Sequence, residues 1–279
     1  MENKYIVVTG GAGSIGQELV RQLAPKNWVF ILDNNETAFF DLYEELNQKG
    51  IRVYGVVGDI RNFDFNSIVS SEWPVICPDY IFHCAALKHV TPSKWSPRDY
   101  IETNILGTLN VLNFAKRQPA TKIINISTDK VINANSIMGA TKKVAEILTK
   151  DANHISVRFG NVLGSRGSVV PIWQRQMDKN EPLTITDSKM TRYIMTVSEA
   201  CELVIEAAKI GESGDILVMD MGEKINIEDL AKQILKKAGK SDDYTRVIGI
   251  RPGETLTEEL MTENEKSRAI RKGKFWIIK

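Results

Sequence analysis

Tyr5-Ile6-Val7-Val8-Thr9-Gly10-Gly11-Ala12-Gly13-Ser14-Ile15-Gly16 carries an apolar run straight into a glycine cluster. From Ile15 to Leu23 the apolar residues recur at helical spacing. Strand, glycine turn and helix, in this order, form the setting in which a glycine triplet binds a dinucleotide. Gly10, Gly13 and Gly16 keep G-x-x-G-x-x-G spacing. The first permits the tight turn, the second lets the backbone approach a pyrophosphate, and the third allows close helix–sheet contact. Ser14 and Ile15 open the helix, whose free N–H groups and partial positive charge suit phosphates. Alone, such a triplet fits any tight turn that needs positive φ. Asp33 adds the second element, because it ends the next apolar run, Trp28 to Leu32, about 20 residues on. A carboxylate there receives the adenosine ribose hydroxyls. Asn34 and Asn35 follow it with no arginine, which favours NAD over NADP, the latter being the alternative.

Further buried runs follow at Val53 to Val57, Tyr80 to Cys84 and Lys122 to Ser127, with helical stretches at Thr37 to Lys49 and Tyr100 to Lys116 between them. This alternation predicts an α/β fold, a Rossmann-like doubly wound parallel sheet. After about residue 160 the rhythm changes. Helices are expected over Val169 to Gln176, Val197 to Lys209 and Ile227 to Ala238, and short strands over Leu183 to Thr186 and Asp215 to Met219. The expected organisation is a dinucleotide-binding domain over residues 1–160, to which some later segments return. A smaller C-terminal substrate-binding lobe over 161–279 covers the carboxyl ends of the strands.

Ser127-Thr128-Asp129-Lys130 and Met138-Gly139-Ala140-Thr141-Lys142 carry the chemistry. An isolated Asp-Lys pair is usually a solvated turn. Here it ends a buried strand and precedes an amphipathic helix. Together with the glycine fingerprint, the segment resembles the active site of extended short-chain dehydrogenase/reductases that act on nucleotide sugars. Similarity runs through Ala86-Leu87-Lys88-His89-Val90, Thr103-Asn104-Ile105-Leu106-Gly107-Thr108, Arg158 to Ser168 and Met190-Thr191-Arg192-Tyr193, and weakens after Glu259. That superfamily reads Tyr-x-x-x-Lys, whereas this chain has Met138 at the tyrosine position. A thioether cannot exchange a proton, so the chemistry leans on Asp129 and Lys130. Thr-Asp-Lys followed by Met-Gly-Ala-Thr-Lys resembles a polysaccharide-biosynthesis branch of the UDP-N-acetylglucosamine 4,6-dehydratases.

The resemblance implies oxidation of the hexose at C4, loss of water across C5–C6 and return of hydride to C6. For that chemistry we assign Lys130 as the C5 base and Asp129 as the acid at the C6 oxygen. Because Met138 cannot take the C4 hydroxyl proton, Thr128 is expected to relay it to Lys142 or to water. An amine base must be neutral, a state that burial and cationic neighbours favour. Lys142 is expected on the nicotinamide ribose. Asp59-Ile60 resembles the adenine-contacting pair, and Ala85-Ala86 the small-residue turn along the cofactor. Lys88, Asn161, Arg166, Arg192, Arg251 and Glu254 match substrate positions, the arginines as forks for the diphosphate. His89 is a second-rank acid/base. The alternatives are a nucleotide-sugar 4-epimerase, which usually keeps the tyrosine, and a non-catalytic NAD-binding protein.

The net charge of +1 gives no reason to expect nucleic acid or an anionic membrane as partner. No apolar run approaches the roughly 20 residues that span a bilayer, and no signal-peptide pattern opens the chain. The three cysteines lack metal-ligand spacing and read as reduced thiols, so no metal site is expected and the compartment is cytoplasmic. The expected partners are a UDP-sugar and further copies of the chain, as a homodimer or larger homo-oligomer packed through the apolar faces of 100–116 and 138–149. The tail ending Phe275-Trp276-Ile277-Ile278-Lys279 has the character of a docking strand.

Overall fold

The computed structural model describes residues 1–68, 77–118, 120–241 and 244–279. Six strands, β1 (Tyr5–Thr9), β2 (Trp28–Asp33), β3 (Tyr54–Val57), β4 (Tyr80–His83), β5 (Lys122–Thr128) and β6 (Ile155–Phe159), lie in the order β3-β2-β1-β4-β5-β6. Neighbours in this set are parallel. The sheet continues through Ile216–Met219, parallel to β6, and ends in an antiparallel pair, Phe275–Ile278 and Ile270–Lys272. Helices α1 (Ser14–Leu23) and α2 (Glu36–Gln48) connect the first three strands. Strand order reverses between β1 and β4, which opens a crevice at the strands' carboxyl ends.

Burial on both faces explains why β1, β2, β4, β5 and β6 read as apolar runs. β3 is an edge strand with Val56 and Val57 exposed, so the buried run expected at Val53 to Val57 is not buried beyond Val53. Ile6 and Val8 face a core that includes Leu19, Val20 and Phe82, while Val7 faces a second core with Phe30, Ile81 and Val111. Two-residue alternation thus feeds both layers from one strand. The tail strand belongs to the same sheet: Phe275 pairs with Met219, Ile278 pairs with Ile216, and both tail side chains are fully buried.

Residues 100–116 do not form one regular helix. Pro97–Ile101 and Gly107–Lys116 are α-helical, with a wide π turn over Glu102–Leu106 between them. The turn coincides with buried Asn104, whose amide accepts from Leu87 N–H at 2.8 Å and donates to Leu87 O and Thr141 Oγ1 at 3.0 Å. Such wide turns frequently mark functional sites. This one ties the turn after β4 to the helix Ile137–Asp151.

The later part of the chain holds helices Val169–Asp178 and Ile227–Lys237 and three two-stranded pairs. Its own core is built on Trp173, Leu183, Ile185, Met190, Ala231 and Leu235. The helix Val197–Ile210 instead packs its Ala200, Val204 and Ala207 into the first sheet core. None of the described helices is long and apolar enough to cross a membrane.

One buried ion network holds the layers in register. Arg158 on β6 is fully buried. It donates to Glu146 of the helix Ile137–Asp151 at 2.6 and 3.2 Å, to Glu265 at 3.0 Å from two nitrogens, and to Leu260 O at 2.9 Å. Glu146 also accepts from Ser127 Oγ at 2.8 Å. Burial opposes charge on Glu265, but Arg158 outweighs it and brings the carboxyl from its ordinary 4.5 down to about 2. A carboxylate depressed in the fold stabilises it above the unfolded value, and that contribution fades as pH falls toward the folded one. Arg158→Met should therefore cost about 3–5 kcal/mol in denaturant unfolding at pH 7, because two buried carboxylates lose their counter-charge. The variant should also flatten the loss of stability between pH 4.5 and about 2.

Candidate active site

The glycine turn and the end of β4 meet with no room for side chains. Gly10 has φ +65°, and a Cβ on it would lie 2.6 Å from Ala85 N. A Cβ on Gly16 would fall 2.1 Å from Gly10 O. Gly13 caps α1 without any side-chain hydrogen bond, so the helix leaves its first N–H groups without a side-chain acceptor. Asp33 braces this turn as well as facing it, since its two oxygens accept Ala12 N–H and Asn35 N–H, each at 2.9 Å. Beneath, His83 bridges Thr9 Oγ1 (2.7 Å) and Thr108 Oγ1 (3.0 Å), and burial with the nearby Lys142 charge lowers its pKa to about 3. A neutral imidazole therefore clamps the floor of the crevice.

Lys142 is buried at the start of the helix Ile137–Asp151 and has no hydrogen-bond or ion-pair partner among the described residues. Burial brings its amine down to about 8, partly offset by Cys84 and Glu146. A cradle of close backbone, an open helix N-terminus and an unpartnered buried amine fits a dinucleotide cofactor. Asp59 and Ile60 stand differently from the expectation. Arg61 takes the Asp59 carboxylate at 2.6–3.0 Å, and Ile60 is a core residue packed toward Gly107.

Past β5 the chain turns through Asp129–Val131. Thr128 Oγ1 donates to Asp129 Oδ1 at 2.9 Å, and Lys130 Nζ donates to the same oxygen at 3.0 Å. Asp129 Oδ2 is buried without a hydrogen-bond partner, and the Glu258 carboxyl lies beside it. Glu258 was not foreseen. Its carboxyl lies 3.1 and 3.2 Å from Lys130 Nζ and 3.3 Å from Arg192 Nε, and accepts Asn161 Nδ2–H at 3.3 Å. Lys130 Nζ also donates to Asn161 Oδ1 at 3.3 Å.

These contacts set the charge states. Burial pushes Asp129 up, but the Lys130 charge, the adjoining Glu258 carboxyl and bonds from Lys130 and Thr128 hold it below the ordinary carboxylate range. Burial and the Asp129 charge raise Glu258 despite Lys130 and Arg192. Burial alone would lower Lys130, yet Asp129 and Glu258 outweigh it and raise its pKa. The neutral amine expected from the sequence is thus overturned. Its nearest neighbours are carboxylates rather than cations, and they keep it an ammonium.

Met138 is buried, 2% exposed, at the first turn of the helix capped by Ser136. Arg192 lines the cleft, but its fork is not presented to it: its terminal nitrogens donate to Thr191 O, Leu256 O and Thr255 O at 2.7–3.1 Å. It clamps the segment that bears Glu258. Arg251 and Glu254 pair loosely at 3.6 Å beside Gly253, which packs toward Val90 and Ser136 across the cleft. Arg166 N–H donates to Ser14 Oγ at 2.9 Å, so its loop lands on the N-terminus of α1, and Gly167 lies against the His89 ring. Burial and then Arg166 lower the Lys88 pKa, which puts two cations at one edge of the crevice. Among the described residues no group of three or more His, Cys, Asp and Glu could hold a metal ion.

The pattern of the polysaccharide biosynthesis protein family matches residues 6–279. The chain belongs to that family. It is 39% identical over 280 residues to the capsular polysaccharide biosynthesis protein CapD of Staphylococcus aureus, an alignment covering 95% of this chain and 46% of CapD. It thus spans about half the length of that relative. A UDP-glucose 4-epimerase of Rickettsia bellii is 35% identical over 99% of this chain and 83% of its own. Among solved structures, Pen from Bacillus thuringiensis superposes with a TM-score of 0.91 at 35% identity, covering 99% of this chain and 89% of Pen.

Proposed function

We propose that this chain is a nucleotide-sugar 4,6-dehydratase that takes UDP-N-acetylglucosamine, with NAD as its resident cofactor, and forms a 4-keto-6-deoxy sugar for glycan assembly. The observation that carries the reading is the buried Asp129 carboxylate, paired with the half-buried Lys130 ammonium and hydrogen-bonded by Thr128. A 4-epimerase needs one proton acceptor at O4. An elimination needs an acid and a base that act on adjacent carbons.

Gly10, Gly13, Gly16, Asp33, Ala85 and Lys142 would hold the cofactor, and Asp33 with Asn34 and Asn35 supports NAD. A nicotinamide held there would supply reversible hydride chemistry between C4 and C6 of the sugar. Thr128 takes the C4 hydroxyl proton and passes its own to Asp129 Oδ1, a route that needs no phenol at position 138. Asp129, now protonated, gives that proton to the departing C6 hydroxyl. Lys130 removes the C5 proton and later restores one. Two protons leave the sugar, one departs in water and one returns to C5, so the account balances. Arg166 and Arg251 would supply positive charge for the diphosphate, and Glu254 would take the nucleotide ribose. Lys88 and Asn161 would border the sugar, with Asn161 and Glu254 lining the cleft beside Asp129 and Lys130.

The name of the Rickettsia relative favours a second reading, 4-epimerisation. Mass spectrometry of the product separates the two, since dehydration gives a UDP-sugar lighter by one water and epimerisation leaves the mass unchanged. We further propose a homodimer through the helices beside the site, where Ile101, Leu106, Val144 and Ile147 are exposed apolar residues. Sedimentation should give twice the chain mass. Thr128→Val should lower turnover by roughly 10²-fold or more and abolish the rise of reduced-cofactor absorbance on adding substrate. Wild-type turnover in that variant would contradict the Thr128 route.

A further inference from the structure

We propose that Glu258, 128 residues from Lys130 in the chain, accepts the proton that Lys130 must lose before its amine can act at C5. This rests on the dehydratase reading and extends it by one residue. Glu258 is a positioning residue in this scheme, since it acts through Lys130.

The geometry is specific. Both Glu258 oxygens lie within 3.2 Å of Lys130 Nζ, and the carboxyl is 8% exposed. Asn161 and Arg192 Nε fix the same carboxyl at 3.3 Å, while the rest of Arg192 grips the carbonyls of Thr255 and Leu256 just before it. The charged groups that face it are Asp129 and Lys130 after β5 and Arg192 from the lobe, with Glu254 and Glu259 of its own segment on the cleft wall. Lys224 engages Glu259, which leaves Glu258 as the carboxyl aimed at Lys130 from that segment.

At rest two carboxyls flank one ammonium, which cannot serve as a base. Asp129 is the larger of the two charges that stabilise it. When the C4 proton reaches Asp129 through Thr128, that charge is gone and the ammonium is less stable. The N–H bond of Lys130 then breaks toward Glu258 and an O–H bond forms, leaving a neutral amine. Burial favours the protonated carboxyl of Glu258. Lys130 takes the C5 proton and gives one back once C6 has been reduced. Glu258 then returns its own proton to Lys130, and both groups are as they began.

The test compares the wild type with Glu258→Gln and Glu258→Asp, each assayed well below its own melting temperature. Release of water from UDP-N-acetylglucosamine and exchange of the C5 proton are followed across pH, with reduced-cofactor absorbance reporting C4 oxidation. In Glu258→Gln, Lys130 must shed its proton to solvent. In the wild type the internal transfer needs no net loss of a proton, so the acid limb reports the Glu258 carboxyl. In Glu258→Gln it reports Lys130 itself. Although loss of the Glu258 charge lowers that amine, the limb should move up by about one pH unit or more, with roughly tenfold or greater loss at pH 7 that recovers as pH rises. C5 exchange should fall in parallel while C4 oxidation persists, and Glu258→Asp, which keeps a carboxyl, should retain more activity at pH 7. An equal loss at every pH, equal losses in both variants, or an unchanged profile would overturn the role. A wild type that converts the sugar without losing water would instead remove the dehydratase reading itself.

Discussion

A guanidinium sealed away from water must have its charge cancelled and its donors used, and Arg158 meets that demand with two separate parts of the chain. Glu146 brings the helix that carries Met138 and Lys142. Glu265 and Leu260 O bring the C-terminal segment that carries Glu258. Ser127, one residue before Thr128, joins through Glu146. The ion cluster behind the site therefore fixes the distance between the two sides of the cleft. The same logic recurs at smaller scale in front of it, where Lys130 sits between Asp129 and Glu258. One cluster is closed and static. The other borders the cleft, and in the proposed reaction its charges would change as a proton arrives.

Much of this was legible in the sequence, for local reasons. A parallel strand buried on both faces has to read as an apolar run, and a backbone that must touch another backbone has to be glycine, as at Gly10 and Gly16. Asp129 and Lys130 stood out because they follow a buried strand. Glu258 did not, because its significance comes from a lysine 128 positions away and from Asn161 and Arg192. In the sequence it is one acid in an acidic stretch, Glu254 to Glu259. The charge state of Lys130 was misjudged for the same reason. Arg192 was read from its motif as a phosphate fork, and only tertiary contacts reveal that backbone carbonyls occupy its terminal nitrogens. The π turn at Glu102–Leu106 escaped because its apolar pattern is helical, and Asn104's reach to Leu87 and Thr141 is long-range.

Methionine at 138 is the sharpest constraint on chemistry. A buried thioether packs well and exchanges no proton, so the oxygen that meets a C4 hydroxyl must come from elsewhere. Thr128 is already bonded to Asp129, which in the proposed reaction would link oxidation at C4 to acid delivery at C6 in a single proton path. A phenol would serve C4 oxidation alone. This coupling gives a physical reason why a threonine, an aspartate and a lysine in sequence suffice, with Glu258 as their counterweight across the cleft.

The most direct measurement follows a label through the reaction: UDP-N-acetylglucosamine bearing deuterium at C4 is incubated with the enzyme, and the product is read by NMR. The account predicts deuterium in the C6 methyl group, because the hydride removed from C4 is the one returned to C6. Deuterium restored to C4 with no methyl formed, or a methyl carrying no label, would contradict it.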